Sequence, residues 1–376
     1  MSDVTFDHFL RAAVNIGAYG DNDTLPFDID VNFVKDNAED LANIAFTYFD
    51  SISKKGRKDA LRQFEKLSIT HERLLVPTGS SGFRITTKIE PFWNIYFNGL
   101  GVAIAEKLEK QRSPNAHSYR YIDSGDKLFN SDKSWRSFKQ ATLDALPNDD
   151  DYSMVVQTDV SSFYEHIYHH RLENCVADLF GSDSLVALQI DRLLSKFASG
   201  RSFGLPVGGQ CARILAETLM DPVDKTLSEF GVTAHRFVDD FILISTNRED
   251  AYSALSTLSH ILADYGLSLN RSKTTILKAK HYRDYVNTQL NPVEDESASV
   301  LYEMDLRFDP YSDTPDDDFE KLKTTVKDLR VLSFLQEEIA KTEPDKFVLT
   351  QVSRTLRYQG PQIALNSILI YAYQEL

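Results

Sequence analysis

The sequence predicts an α+β chain that begins helical, carries a few short strands at its centre and ends helical. Three observations lead there. Apolar residues recur at helical spacing over residues 36–52, at Leu41, Ile44, Ala45 and Phe49, and again at Leu215, Leu219 and Val223. Short β-branched and aromatic runs occupy 153–158, 233–239 and 241–245. Beyond residue 320 the texture is helical again, with breaks near 341–345 and at Gly360-Pro361.

In order along the chain, residues 1–75 read as mostly helical. Pro77, Gly79 and Gly82 break that pattern and introduce a β-like run over 83–87. A helix is expected over 93–110, then a loop-rich stretch over 113–134 containing Tyr119-Arg120-Tyr121. The acidic turn at 148–151 leads into the strand at 153–158, and a glycine-rich turn over 204–209 opens the helix that carries Leu215. A helix over 250–264 is expected to end at Gly266. This gives four regions: 1–150, 151–290, an acidic linker region over 291–319, and an α-helical domain over 320–376. The last apolar run, 363–376, reads either as a docked end or as part of a helical domain that continues; both readings stay open.

Composition narrows the setting. The chain has 376 residues, 42% of them hydrophobic, enough for more than one core. No run approaches the roughly 18 apolar residues of a membrane span, and the Met-Ser-Asp-Val-Thr start lacks a secretory leader. With 2 cysteines the chain has no disulfide framework, and a reducing cytoplasm is the expected location. The net charge of −15 is unevenly spread: residues 54–140 hold 17 Lys and Arg against 9 Asp and Glu, so the rest carries −23. A basic block between acidic flanks can gather an anionic ligand on one face, although a solvated surface would look the same.

The chemical signal is acidic. Asp239 and Asp240 interrupt an otherwise apolar run, Phe237-Val238 before and Phe241-Ile242-Leu243-Ile244 after. Asp159 ends the apolar strand that starts at Met154. An ionised pair in such surroundings is costly unless something compensates it, and a metal ion would. The triplets Asp149-Asp150-Asp151 and Asp316-Asp317-Asp318 lie in polar context and need only water.

The order of segments around these residues resembles the reverse transcriptase family. Residues 155–164, Val-Val-Gln-Thr-Asp-Val-Ser-Ser-Phe-Tyr, look like its first palm motif, an aspartate followed five residues later by an aromatic. Gly204-Leu205-Pro206-Val207-Gly208-Gly209 is similar to its second, Phe237-Val238-Asp239-Asp240 to its aromatic-x-Asp-Asp hairpin, and 266–274 to a fourth motif with Lys273. The resemblance implies a right-hand palm and fingers with a small antiparallel catalytic sheet, followed by an all-α C-terminal domain. It implies nucleotidyl transfer from dNTPs, with Asp159, Asp239 and Asp240 ligating two Mg2+ ions (Mn2+ as a substitute) and Lys273 as a proton donor. Hard carboxylate oxygens suit magnesium. It also places Tyr164, Gly208 and Gly209 against the substrate, and Arg84 and Arg120 in finger segments that grip the triphosphate. The implied partners are an RNA template or DNA product and dNTPs, with a non-coding RNA and a homo-oligomer as further options.

Two positions depart from the family pattern: Val207 stands where glutamine is common, and Val238 where alanine is. No RNase H, integrase, endonuclease or maturase segment is evident. The combination looks most like bacterial abortive-infection and defence-associated reverse transcriptases. Two rivals remain: a polymerase making RNA or untemplated DNA, and a non-catalytic palm kept for RNA binding or assembly.

Other features have plainer readings. His166, His169 and His170 read as a wet helix surface, Cys211 as small-residue packing, and Arg213 with Glu217 as an i,i+4 pair. Tyr302, Tyr311, Tyr358, Tyr371 and Tyr373 include possible protein primers by the same resemblance, and none is singled out.

Overall fold

The computed structural model describes residues 3–20, 29–78, 82–125, 127–147 and 152–290. The chain divides into two units, Met1–Val286 and Asn287–Leu376, and the second lies almost wholly outside the described residues. The expected acidic linker region over 291–319, the expected α-helical domain over 320–376 and the five tyrosines named above lie outside the described residues.

The first unit is built around one buried helix. Helices α1 (Phe6–Tyr19), α2 (Ile29–Asp36), α3 (Ala38–Ser53) and α4 (Arg57–Glu65) come first. Strands β1 (His71–Thr78) and β2 (Gly82–Ile89) follow as an antiparallel hairpin, then α5 (Pro91–Glu109). Along α5, apolar residues occur on every side, from Trp93 through Ile95, Leu100 and Ile104 to Leu108, and all are buried. A helix apolar all round belongs inside. Its glycines let neighbours close on it: a Cβ at Gly101 would stand 2.8 Å from Cys211 Sγ and 3.1 Å from Cys211 Cα. On α1, Phe9, Ala12, Ala13 and Ile16 form the matching stripe, each at most 3% exposed.

The second half holds α6 (Trp135–Asp144), β3 (Met154–Asp159), the short α7 (Phe163–His166), α8 (His169–Phe180), α9 (Leu185–Phe197) and α10 (Gln210–Glu229). It continues with β4 (Thr233–Phe237), β5 (Asp240–Ser245), α11 (Arg248–Asp264), β6 (Thr275–Lys278) and α12 (Ala279–Leu290). The four strands make one antiparallel sheet in the order β4-β5-β3-β6. Helices α10 and α11 pack on it, and Val155, Val156, Phe241, Ile242 and Leu243 are buried. Register places Asp159 opposite Asp240, and Phe237 also opposite Asp240. The aspartates therefore meet at one end of the two central strands.

Two strands depart from the expectation. β1 falls partly in the stretch read as helical, because Leu74-Leu75-Val76 gives no alternation and its partner β2, not its own pattern, fixes it. β6 is 4 residues long and half-exposed, too short to stand out.

Candidate active site

Asp159 and Asp239 are positioned by backbone bonds that the strands leave over, and Asp240 by its pairing within the sheet. The Asp159 carbonyl accepts from Asn270 N at 2.7 Å, and Val160 N donates to the Asp239 carbonyl at 3.1 Å. Asn270 Nδ2 lies 3.3 Å from Asp159 Oδ2, and Lys273 Nζ 2.5 Å from the same oxygen. The segment over 266–274 is thereby tied to the carboxylates by Asn270, a residue the motif reading did not single out.

Asp239 and Asp240 are both perturbed by their surroundings. Burial, then the charges of Asp240 and Asp159, push Asp239 up to about 7, and its carboxyl hydrogen-bonds that of Asp159. Asp240 is raised by burial and by Asp159, against the lowering effect of Lys139 and Lys273. The bond to Asp159 raises the Lys273 ammonium above its ordinary value, although the side chain is 65% exposed. Among the described residues no three His, Cys, Asp or Glu side chains converge into a ready-made metal cage. Asp239 and Asp159 are instead hydrogen-bonded to each other, and Lys273 sits on an Asp159 oxygen that a cation would use. The donor set nonetheless fits a hard cation: oxygen-only, with an excess of negative charge that a cation would offset, favouring the ionised form of Asp239.

Lys139 belongs to this site and carries no sequence signal. It is 3% exposed, lies 5.1 Å from the ring of Trp135, 5.5 Å from Phe138 and 5.7 Å from Tyr282, and faces Asp240. Burial brings its ammonium down to about 8 while Asp240 pulls the other way.

Tyr164 lies on α7, half-buried and edge-on to Phe163 at 5.5 Å. Burial raises its hydroxyl well above the ordinary value, and the charges of Tyr119, Arg213, Glu217 and Asp239 also act on it. The glycine turn runs alongside: Leu205 N donates to the Tyr164 carbonyl at 2.9 Å, Gly208 has φ +132, and Gly209 caps α10. Thr87 N on β2 donates to the Val207 carbonyl at 3.0 Å, which joins the fingers hairpin to that turn.

The two finger cations differ. Arg84 is exposed on β2, opposite Val76. Arg120 is engaged within the loop: Nε donates to Glu109 at 2.7 Å, and Nη1 to the carbonyls of Ser113 and Ala116 at 2.7 and 3.0 Å. A phosphate would have to displace these partners.

The pairing expected of Arg213 and Glu217 does not form. Glu217 lies 2.5 Å from Arg112 and 2.8 Å from Arg236, two guanidiniums that together satisfy a fully buried carboxylate. Arg213 instead lies over the Tyr119 ring at 5.0 Å and reaches Gln210 at 3.4 Å. Of the three histidines, His166 and His170 are exposed, but His169 is buried with Nε2 2.8 Å from the Gly204 carbonyl. It anchors the glycine turn, so the surface reading does not extend to it. Cys211 packs as expected, wholly buried, and burial pushes its thiol well up.

The chain is similar to known proteins. The model of the reverse transcriptase (RNA-dependent DNA polymerase) family matches residues 94–297, more than half of the chain. Among solved structures, apo telomerase from Candida tropicalis is similar over 83% of this chain and 62% of its own, at 13% identity and TM-score 0.44. Its form truncated from the C-terminal domain matches at 14% identity and TM-score 0.40, over 61% of this chain and 55% of its own. A third is telomerase from Candida albicans in complex with a fragment of telomeric RNA, at 14% identity and TM-score 0.40, over 80% of this chain and 62% of its own. The chain thus spans less than two thirds of each of these proteins. No curated protein sequence matches it. The ordered motifs, the sheet that brings three of them to one strand end and a family match spanning all four agree: this chain belongs to the reverse transcriptase family.

Proposed function

We propose that the chain synthesises DNA from dNTPs with two magnesium ions held by Asp159, Asp239 and Asp240. The observation that carries this reading is the carboxyl cluster at the meeting of β3 and β5, where burial and then the charges of Asp240 and Asp159 raise Asp239 to about 7. Bound there, two such ions would activate a 3′-hydroxyl and neutralise charge developing on the triphosphate. The chain's own residues do the rest. Tyr164, Gly208 and Gly209 bound the nucleotide, and the Tyr164 ring takes the volume a 2′-hydroxyl would need. Lys273, freed from Asp159, delivers a proton to the departing pyrophosphate. Arg84 and the cations of the basic block contact phosphates of the triphosphate and of template or product.

The motif set further supports a bacterial antiphage role in the cytoplasm, with an associated RNA and self-assembly as properties of that setting. Among the described residues no helix is long and apolar enough to cross a membrane. Replacing Asp239 and Asp240 together by Asn should abolish dNTP incorporation in a protein that still unfolds cooperatively. Full activity in that variant would refute the reading. Preference of the wild type for rNTPs, or incorporation without template, would move it to the corresponding rival polymerase.

A further inference from the structure

The geometry points to Ser118, Arg236 and Glu217 as positioning residues that hold Val238 in a left-handed backbone and so aim Asp239 and Asp240. This rests on the metal–carboxylate reading of the site. Phe237 pairs with Asp240, so Val238 and Asp239 are the two loop residues of a hairpin. Val238 has φ +59 and Asp239 is not left-handed. A positive φ at the first loop position alone is the II′ pattern, in which glycine is the usual occupant. A β-branched residue stays there only where its surroundings impose it.

Those surroundings grip both polar groups of the Val238 peptide with buried side chains. Val238 N donates to Ser118 Oγ at 2.9 Å, and Arg236 Nη1 donates to the Val238 carbonyl at 2.8 Å. Arg236 cannot swing away, because Nε and Nη2 hold both oxygens of Asp224, at 2.9 and 2.7 Å, and Nη2 also reaches Glu217 at 2.8 Å. The Ser118 hydroxyl donates to the other oxygen of Glu217. Arg112 closes the circuit, reaching Glu217 at 2.5 Å and the carbonyls of Ser118 and Tyr119 at 2.9 and 3.0 Å. The loop itself lies along β4, with His117 N donating to the Arg236 carbonyl and Arg236 N to that of Asn115, both at 2.9 Å.

Two guanidiniums and two carboxylates make this cluster neutral, and Arg112, Ser118, Glu217 and Arg236 are each at most 8% exposed. Buried ion networks seldom stabilise more than an apolar core of the same volume would. Apolar contact, however, is non-directional and cannot fix how a peptide plane is turned. Here the spare donor of one guanidinium and the spare acceptor of one hydroxyl both end on the peptide groups next to the aspartates. The network supplies direction.

The test uses the full chain and the variants Ser118→Ala and Arg236→Lys, each alone and combined with Val238→Gly. Readouts are thermal unfolding, Mn2+ affinity by electron paramagnetic resonance, and kcat and KM for dNTP. Glycine adopts the left-handed backbone without a clamp, so it should rescue. Folded Ser118→Ala should lose about tenfold or more in kcat with KM nearly unchanged, bind Mn2+ several-fold more weakly, and regain much of both with Val238→Gly. If Ser118→Ala does not fold, Arg236→Lys carries the same comparison. Wild-type kcat and Mn2+ affinity in a folded clamp variant, or no recovery with glycine, would overturn the inference. A wild type that binds Mn2+ through Asp239 yet incorporates no nucleotide overturns the polymerase reading alone, and the Mn2+ affinities still decide the clamp. Absence of Asp239-dependent Mn2+ binding removes both.

Discussion

Replacing Asp239 by Asn should make the metal-free protein more stable, and increasingly so as pH rises. The folded carboxyl titrates near 7 because it is buried beside Asp240 and Asp159, against 3.8 ordinarily. Between these values the folded state keeps a proton that the unfolded chain has released, so raising pH draws the equilibrium toward unfolding. The stability associated with this proton is present below about pH 4 and lost as pH passes through 7. Asparagine has no such proton. At about 1.4 kcal/mol per tenfold, the advantage of the variant should grow by about 3 kcal/mol between pH 5 and pH 8. Urea unfolding in EDTA, followed by the fluorescence of Trp93 and Trp135, measures it at four pH values. Added Mg2+ should narrow the gap at pH 8, because only the wild type gains from binding. Parallel stability curves, or an asparagine variant that is less stable at pH 8, would refute the account of a carboxylate cluster held in excess negative charge.

Other consequences are as definite. Tyr164→Ala should raise the ratio of rNTP to dNTP incorporation roughly ten- to a hundredfold, the equivalent of about 1–3 kcal/mol of relieved overpacking; an unchanged ratio in competition assays means the ring does not bound the sugar. Gly101→Ala drives a methyl to 2.8 Å from Cys211 Sγ and 3.1 Å from its Cα, so it should cost about 1–3 kcal/mol. Gly56→Ala, with nothing within 4 Å of the added carbon, should change Tm by comparison little. Nucleic-acid affinity should fall with salt, each phosphate contact contributing about 0.7–0.9 to the log–log slope. Neutralising Lys54, Lys55, Arg57 and Lys58 should flatten that slope by less than four contacts' worth, because Lys54 already pairs with Asp50 and Arg57 with Glu173. An unchanged slope would place the interface nearer the exposed Lys133 and Arg136.

What the sequence disclosed and what it withheld follow from how far apart the interacting residues lie. The strands around Asp159 and Asp239-Asp240 were legible because each is a contiguous apolar run, and the central helix because its apolar residues never give way to a polar face. Spacing on one helix suggests that Arg213 pairs with Glu217, yet Glu217 takes its partners from residues 112 and 236, one before the central sheet and one on its strand β4. Lys139 likewise meets Asp240 across a hundred residues of chain that no local pattern spans. The family resemblance assigns Arg120 to a triphosphate, and only the folded loop shows Glu109 and two carbonyls already engaging it.

The first unit holds two buried charge clusters of different balance. In one, Arg112 and Arg236 face Glu217 and Asp224, two charges of each sign. Burial pushes the Glu217 carboxyl up, but the two guanidiniums outweigh it and hold it below its ordinary range. In the other, three carboxyls face Lys273, which is mostly exposed, and Lys139, which burial makes easier to deprotonate. In that cluster Asp239 and Asp240 both rise, as burial also makes Asp224 do in the first, so what separates the two clusters is their balance of charge. A neutral cluster needs nothing further and can serve as a rigid support. A cluster left negative, at a strand end beside a half-buried tyrosine and a glycine turn, is stable only with protons or cations drawn from solution. The two sit back to back across the Val238 peptide, so the balanced network holds in place the groups whose imbalance the chemistry requires.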